Sequence, residues 1–447
     1  MVSRMAGRMD PLREIARRHG PRRALSDRSA GFWISWFDLD GLADAWADRF
    51  VAHGVGPGER VAVVEPAGVR FASILHGCLR SGASLVPISP RAPGSEVEQI
   101  LRDCRPRLLV RDGEVEGQPD PAAGDPTDAC LLYTSGTTGP PKGVRLSLGN
   151  HVASARACAQ GLGATDADRW LLCLGPHHVG GLAILMRSVL CNQPVVTLAR
   201  FEVAAVLDAI RADRPTLVSL VPTMLAQLVE AGGLEELRSL RAILVGGASV
   251  PADTARTWSS LGLTVCPSYG LTETCSQVAI VPVGRALELA GAAGVVGSQA
   301  SIEVLDDEIV VSGPVVSPGY VNPQLASPPS GGRFATGDAG HLDGDVLTVL
   351  GRRDDTIITG GENVHPEQVE GVLRDHPSVG DVAVAGRPDP TWGQLVTAWV
   401  VARGVTAADL DAWCRERLAP FKVPRRWIFV EGLPRTEGGK LRRHELR

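Results

Sequence analysis

At 447 residues, 44% of them apolar, the chain exceeds one small core, and ordinary domain sizes divide it into roughly two to four compact units. Its net charge of −5, with both signs interspersed and no Lys/Arg tract, excludes a broad nucleic-acid-binding face and leaves small-molecule chemistry. No run approaches the ~20 uninterrupted apolar residues of a membrane span, and no apolar stretch follows Arg4 and Arg8 as it would in a signal peptide.

Pro11 to His19 suits a short amphipathic helix and Phe37 to His53 a longer one, ended by Gly54 ahead of a strand over Arg60 to Val64. Helix Phe71 to Arg80, strand Ser84 to Ile88, helix Ser95 to Asp103 and strand Arg107 to Val110 continue the alternation, which predicts a parallel α/β sheet. The Pro/Gly/Asp-rich stretch Gly113 to Asp128 reads as a long connection. An apolar run, Ala129 to Leu132, then leads into a glycine-rich loop, and a helix-like segment opens near Ser147.

Further on, strands are expected at Trp170 to Leu174, Val195 to Leu198, Leu217 to Val221, Ala242 to Val245 and Thr264 to Cys266. Helices are expected at Gly181 to Cys191, Val203 to Arg211 and Thr223 to Glu230. Gly246–Gly247 and SYGLTET then fall where open α/β sheets bind ligands, beyond strand C-termini. From Ser301 short strands (Ile302 to Val304, Glu308 to Ser312, Leu347 to Leu350) with Pro/Gly turns predict a small β-rich subdomain. After GRRDD a fresh α+β pattern carries helices at Pro366 to Asp375 and Ala407 to Arg417 and strands at Val382 to Ala385 and Val396 to Val401. We place a domain boundary at Asp354, dividing 1–353 from 354–447. The nine cysteines are odd in number, scattered and without a CxxC pair, the pattern of reduced side chains in a cytoplasmic protein.

The loop itself is YTSGTTGPPKGV, Tyr133 to Val144. Gly136, Gly139 and Gly143 permit close backbone approach to a bulky anion, Thr134, Ser135, Thr137 and Thr138 offer hydroxyl donors, and Lys142 brings a mobile positive charge. This is a phosphate-handling composition, though a Gly/Ser/Thr linker would look similar in isolation. It is not a P-loop NTPase signature, because Lys142 is followed by Gly143 rather than Ser or Thr. Of the 45 lysines and arginines only Lys142, Lys422 and Lys440 are lysines, and two of these lie in glycine-flanked loops, where a compact ammonium does what a planar guanidinium does not. Chance survival is the plain alternative for any one of them.

SYGLTET, Ser268 to Thr274, gathers an aromatic face, a hydroxyl and a carboxylate: Tyr269 to stack on a base, Thr272 to donate to a phosphate, Glu273 to hold Mg²⁺. An ordinary polar turn has the same composition. In TGD, Asp338 offers a carboxylate to two ribose hydroxyls, with Arg352 a short β-excursion further on, and a solvated surface ion pair is the alternative reading.

YTSGTTGPPKG, SYGLTET, TGD, GRRDD and PRTEGGK, in this order from Tyr133 to Lys440, resemble the motifs of the AMP-forming superfamily of acyl- and aryl-CoA synthetases, luciferases and adenylation domains. That resemblance covers nearly the whole chain. It implies an α/β protein: a large N-terminal part of two α/β subdomains and a small β-barrel, then a small mobile α+β C-terminal domain that rotates between two half-reactions. It also implies ATP, Mg²⁺ and coenzyme A as ligands. By resemblance Thr134, Ser135, Gly136, Thr137, Thr138, Gly139 and Lys142 take the ATP phosphates, Gly246, Gly247 and Tyr269 border the adenine, and Gly270 belongs to the nucleotide site. Asp338 and Arg352 hold the ribose, Glu273 the metal, and Asp354 is the hinge. Lys440, Thr272 and His178 form the implied catalytic set, with Lys440 bridging the acyl carboxylate and the α-phosphate. Carboxylate attack on ATP brings two anions together, so a lysine at their contact stabilises developing charge.

PHHVGGLAILMRS, Pro176 to Ser188, with YGLTETCSQV and the short chain, is similar to the o-succinylbenzoate-CoA ligases of menaquinone biosynthesis. On this resemblance His178 lies beside the acyl site, while His177 stands where an aromatic ring is usual. Arg187 and Ser276 are candidates for the acid's second carboxylate, and Arg187 would equally suit a solvent-facing or structural position. Same-fold alternatives are another aryl- or fatty acyl-CoA synthetase or a carrier-protein-loading adenylation enzyme; the alternative from a different class is a catalytically silent nucleotide-binding scaffold. The oligomeric state is left open, a homo-oligomer included.

Overall fold

The computed structural model describes residues 10–28, 31–134, 141–324, 329, 332–435 and 441–446. Two large mixed sheets and one small sheet organise them. The first has the order Gly319–Tyr320, Lys142–Ser147, Asp128–Thr134, Ser84–Pro87, Arg60–Val64, Leu108–Arg111, Glu114–Gly117. Its four inner strands run parallel and its edges antiparallel. Successive side chains alternate between faces: Val61 and Val63 meet Phe50, Phe71 and Leu75 of helices Trp36–Ala52 and Val69–Ser81, and Ala62 and Val64 meet Val97 and Ile100 of helix Gly94–Cys104. Because helices cover both faces, these strands read as unbroken apolar runs.

The second sheet begins at the edge Phe32–Ser35 and runs through Arg23–Asp27, Val195–Thr197, Trp170–Leu172, Leu217–Leu220 and Ala242–Val245 to Val265–Leu271. From Arg23–Asp27 onward these strands are parallel. The sheet then turns antiparallel through Ser276–Ile280, Gly294–Val296, Val346–Arg352, Arg333–Asp343, Glu308–Ser312 and Ser301–Leu305. Helices Leu148–Leu162 and Val179–Cys191 belong to an apolar cluster shared by both large sheets. The opposite face of the second sheet is covered by Val203–Asp213, Pro222–Glu230 and Ala252–Ser260. In the third sheet Gly393–Ala402 pairs with Val379–Asp389 and Arg426–Phe429, and Pro366–Arg374 and Ala407–Arg415 pack on it.

The structure corrects three expectations, while the alternating strands Arg60–Val64, Ser84–Pro87 and Leu108–Arg111 are parallel as expected. Ser268–Leu271, expected as loop, continues strand Val265–Leu271, and Lys142 opens a strand instead of closing a loop. As expected, the region from Ser301 is β-rich, and it forms the antiparallel end of the second sheet. Within the expected long connection, Glu114–Gly117 pairs with Leu108–Arg111. All nine cysteines are free thiols, eight of them buried, and among the described residues no helix is long and apolar enough to cross a membrane.

Candidate active site

Strands Asp128–Thr134 and Lys142–Ser147 form an antiparallel pair that brackets the glycine loop, with Thr134 opposite Lys142. Ser135, Gly136, Thr137, Thr138 and Gly139 lie outside the described residues. Gly143 is required by packing: a Cβ there would come within 2.8 Å of the Tyr133 ring, whose hydroxyl donates to Asp103 Oδ2 at 2.6 Å.

Beyond strand Val265–Leu271 the chain makes a single 3₁₀ turn, Thr272–Thr274, and returns as Ser276–Ile280. Cys275 and Ser276 hold φ of +51° and +91°, conformations costly for side-chain-bearing residues. They persist because Thr274 Oγ1 accepts from Leu271 N (2.9 Å) and donates to the Ser276 carbonyl (2.9 Å). The return is so close that a Cβ on Gly270 would sit 2.0 Å from that carbonyl oxygen.

This fixed turn presents Glu273 next to a segment the sequence reading passed over. Tyr320 Oη donates to Glu273 Oε1 at 2.9 Å, Ser317 N donates to the Glu273 carbonyl at 2.8 Å, and Ser317 Oγ donates to the Arg145 carbonyl at 2.7 Å. Tyr320 in turn pairs with Val144 on the strand that begins at Lys142. The only signal for this segment was a Gly/Pro-rich turn, GPVVSPGY, too short for any periodicity. Glu273 Oε2 carries no hydrogen bond or ion pair among the described residues, which suits a hard cation. Those residues contain no cage of three or more His, Cys, Asp or Glu, so Mg²⁺ here would draw its other ligands from phosphate and water.

A second cluster joins residues far apart in the chain. Asp338 and Arg352 are direct cross-strand partners; Arg352 Nη1 donates to Asp338 Oδ1 and to the Thr336 carbonyl, each at 2.9 Å, and Tyr269 Oη donates to Asp338 Oδ2 at 2.7 Å. Burial and the Asp338 charge push the Tyr269 phenol far up, so it stays a donor. Asp338 is 7% exposed, so its carboxylate is held inside the protein, whereas the Arg352 side chain is partly exposed. Gly337 has φ +72°, and a Cβ there would lie 2.8 Å from the Arg352 guanidinium. Gly246 and Gly247 follow strand Ala242–Val245: a Cβ on Gly246 would be 2.9 Å from Ser268 Oγ, next to Tyr269, and one on Gly247 would be 3.3 Å from Val221. Asp354 is exposed in the 3₁₀ turn Arg353–Asp355, immediately after Arg352.

His178 is exposed and caps the start of helix Val179–Cys191, its ring 4.3 Å from that of His177. Burial, then His178 and Arg91, push His177 down to about 3, so it is a neutral imidazole. Arg187, on the same helix, is 3% exposed and does not face solvent. Its Nε donates to the Ala183 carbonyl (3.0 Å), its Nη1 approaches Cys158 Sγ (2.7 Å), and its guanidinium lies 4.8 Å from the Trp170 ring centre. No carboxylate among the described residues pairs with it. His151 beside it is held neutral, at about 4, by burial and then by the Arg187 charge, and touches Cys130 and Cys275. Ser276, next to Cys275, donates to Gln277 Oε1 at 2.5 Å, leaving the buried Gln277 Nε2 unpartnered. Lys440 lies outside the described residues, and for the Thr272 side chain no contact defines a role.

Residues 12–123 and 111–321 match the AMP-binding enzyme family, and residues 368–440 match the C-terminal domain of AMP-binding enzymes. The chain belongs to the AMP-binding enzyme family. Within it, a 2–succinylbenzoate–CoA ligase of Bacillus velezensis is 37% identical over 426 residues, covering 87% of each chain. The solved o-succinylbenzoate CoA synthetase of Bacillus subtilis with its acyl-adenylate OSB-AMP superposes with a TM-score of 0.86 at 33% identity, over 97% of both chains. The same Bacillus enzyme with ATP and magnesium gives 0.87 at 33% identity, over 98% of both. This AMP-binding enzyme thus has the α/β architecture of those synthetases, with a small C-terminal domain.

Proposed function

We propose that the chain is an AMP-forming acid–CoA ligase acting on o-succinylbenzoate. The acid's aliphatic carboxylate attacks the α-phosphorus of ATP and expels pyrophosphate; coenzyme A sulfur then attacks the acyl carbon of the adenylate and expels AMP, giving the thioester. Mg²⁺, when bound, neutralises triphosphate charge, and Glu273 is the residue to hold it. Thr134 to Gly139 and Lys142 take the phosphates, Gly246, Gly247 and Tyr269 border the adenine, Gly270 belongs to the nucleotide site, and Asp338 and Arg352 take the ribose. Thr272 faces the α-phosphate, and Lys440 screens the two anions as they meet. Residues 1–353 and 354–447 act as two domains about the hinge Asp354. We place the enzyme in the cytoplasm and leave room for a homo-oligomer.

The observation that carries the substrate assignment is Arg187: a buried guanidinium with no carboxylate partner among the described residues calls for an anion from outside the chain. A diacid supplies one when its first carboxylate is at the reaction centre; a monoacid does not. His178 and Ser276 complete the acid-binding set. Acid-dependent ATP–pyrophosphate exchange over o-succinylbenzoate, benzoates and fatty acids tests this. We expect exchange with o-succinylbenzoate foremost; exchange led by a monoacid would return the chain to the wider aryl- and fatty acyl-CoA synthetases, and none with any acid would favour a silent scaffold.

A further inference from the structure

Glu273 has a rigid backbone and a loose side chain. The turn is locked by Thr274 and by the close Gly270–Ser276 return, but three rotatable bonds separate the carboxylate from that frame. Among the described residues one side-chain contact restrains it, the Tyr320 hydroxyl on Oε1, which leaves Oε2 open. Tyr320 is 7% exposed, and its ring packs in the core beneath both large sheets. Its backbone pairs with Val144, two residues from Lys142. Ser317 ties the same short segment to both the Glu273 carbonyl and the Arg145 carbonyl.

We propose that Tyr320 is the positioning residue for Glu273, fixing the carboxylate's free oxygen relative to the Lys142 strand so that the metal and the phosphate-facing lysine are held in register. This rests on the reading of Glu273 as the metal-holding group. A hydroxyl that orients a metal-ligating carboxylate typically supports the metal's affinity by ~10- to 100-fold. The hydroxyl touches neither nucleotide nor acid in this account, so its loss acts on the metal first.

The test is Tyr320→Phe, which keeps the buried ring and removes only the donor. Mn²⁺ affinity of the enzyme–ATP complex is measured by electron paramagnetic resonance with no acid or coenzyme A present, alongside Glu273→Gln and the double variant. The expected result is a fall of roughly tenfold or more in Mn²⁺ affinity for Tyr320→Phe, no additional fall when it is added to Glu273→Gln, and metal-free ATP binding like the wild type's. Wild-type Mn²⁺ affinity in Tyr320→Phe together with weakened affinity in Glu273→Gln overturns the proposal alone. Wild-type affinity in both variants overturns the reading of Glu273 as well. A loss of metal-free ATP binding in Tyr320→Phe also overturns the proposal, since it makes the hydroxyl a general packing element.

Discussion

Arg352 and Asp338 face each other across adjacent antiparallel strands, and the guanidinium meets one oxygen of the carboxylate at 2.9 Å. The other oxygen is met by Tyr269, from a strand on the far side of the same sheet's antiparallel part. The Arg352 side chain is 46% exposed, so the pair contributes little to folding, on the order of 1 kcal/mol or less. On the proposed function, its value lies in holding a carboxylate pre-oriented for a ligand. Asp338→Asn is expected to raise the KM for ATP roughly ten- to a hundredfold, the worth of charge-assisted hydrogen bonds, with a small change in Tm. Steady-state kinetics and thermal unfolding check both; an unchanged KM with a large drop in Tm would make the cluster structural.

Arg187→Met separates diacid from monoacid recognition. The KM for o-succinylbenzoate is expected to rise about a hundredfold, while a benzoylpropionate without the ring carboxylate is nearly unaffected, since only the diacid loses a buried charge partner. Methionine keeps apolar contact with Trp170 and Cys158, the neighbours seen in the structure. Equal effects on both acids would leave Arg187 a packing residue.

Arg443 gathers three carboxylates: Glu370 at 2.6 Å, Asp355 at 3.1 Å and Glu367 at 3.2 Å. Burial, only partly offset by Arg443, pushes Glu367 up from 4.5 to about 7, and its Oε2 is buried without a partner, occupying the place of a Cβ on Gly351. A carboxyl whose folded pKa is raised binds its proton more tightly when folded. Its stabilising contribution is therefore complete below pH ~4.5 and is lost as pH rises to about 7. Glu367→Gln cannot ionise, so its Tm advantage over the wild type should grow from pH 5 to pH 7.5 and then level off. A difference independent of pH would contradict the raised pKa.

Much of the fold is legible because the buried strands are apolar runs with clear ends: Arg60–Val64 and Ala242–Val245 have the bounds the sequence suggests. Helices such as Pro11–His19 announce themselves by cap and periodicity. What escapes is fixed by distant partners. Ser268–Leu271 carries a glycine and polar residues, yet it is strand because Ser276–Ile280 pairs with it. Arg333–Asp343 holds TGD in a strand that no alternation marks, and its pairing with Val346–Arg352 makes Asp338 and Arg352 neighbours. The motifs proposed to face the nucleotide could be found by residue type, but the Tyr320–Glu273 contact could not, since it spans 47 residues. Arg187 could be named, and only its burial shows that it does not face solvent.

Lys440→Ala separates the two half-reactions. If Lys440 serves adenylation alone, the variant loses acid-dependent pyrophosphate exchange by about a hundredfold or more, as for removal of a charge-stabilising donor, yet still converts supplied acyl-adenylate to thioester. Equal losses in both steps would contradict two domain arrangements about Asp354.

The most direct measurement is product formation by the wild-type chain with MgATP, coenzyme A and either o-succinylbenzoate or its monoacid analogue, read by mass spectrometry with AMP and pyrophosphate quantified. The account predicts o-succinylbenzoyl-CoA, AMP and pyrophosphate in equal amounts, and a kcat/KM well above that for the monoacid. Thioester formation favouring the monoacid, or adenylate formation without transfer to coenzyme A, would contradict it.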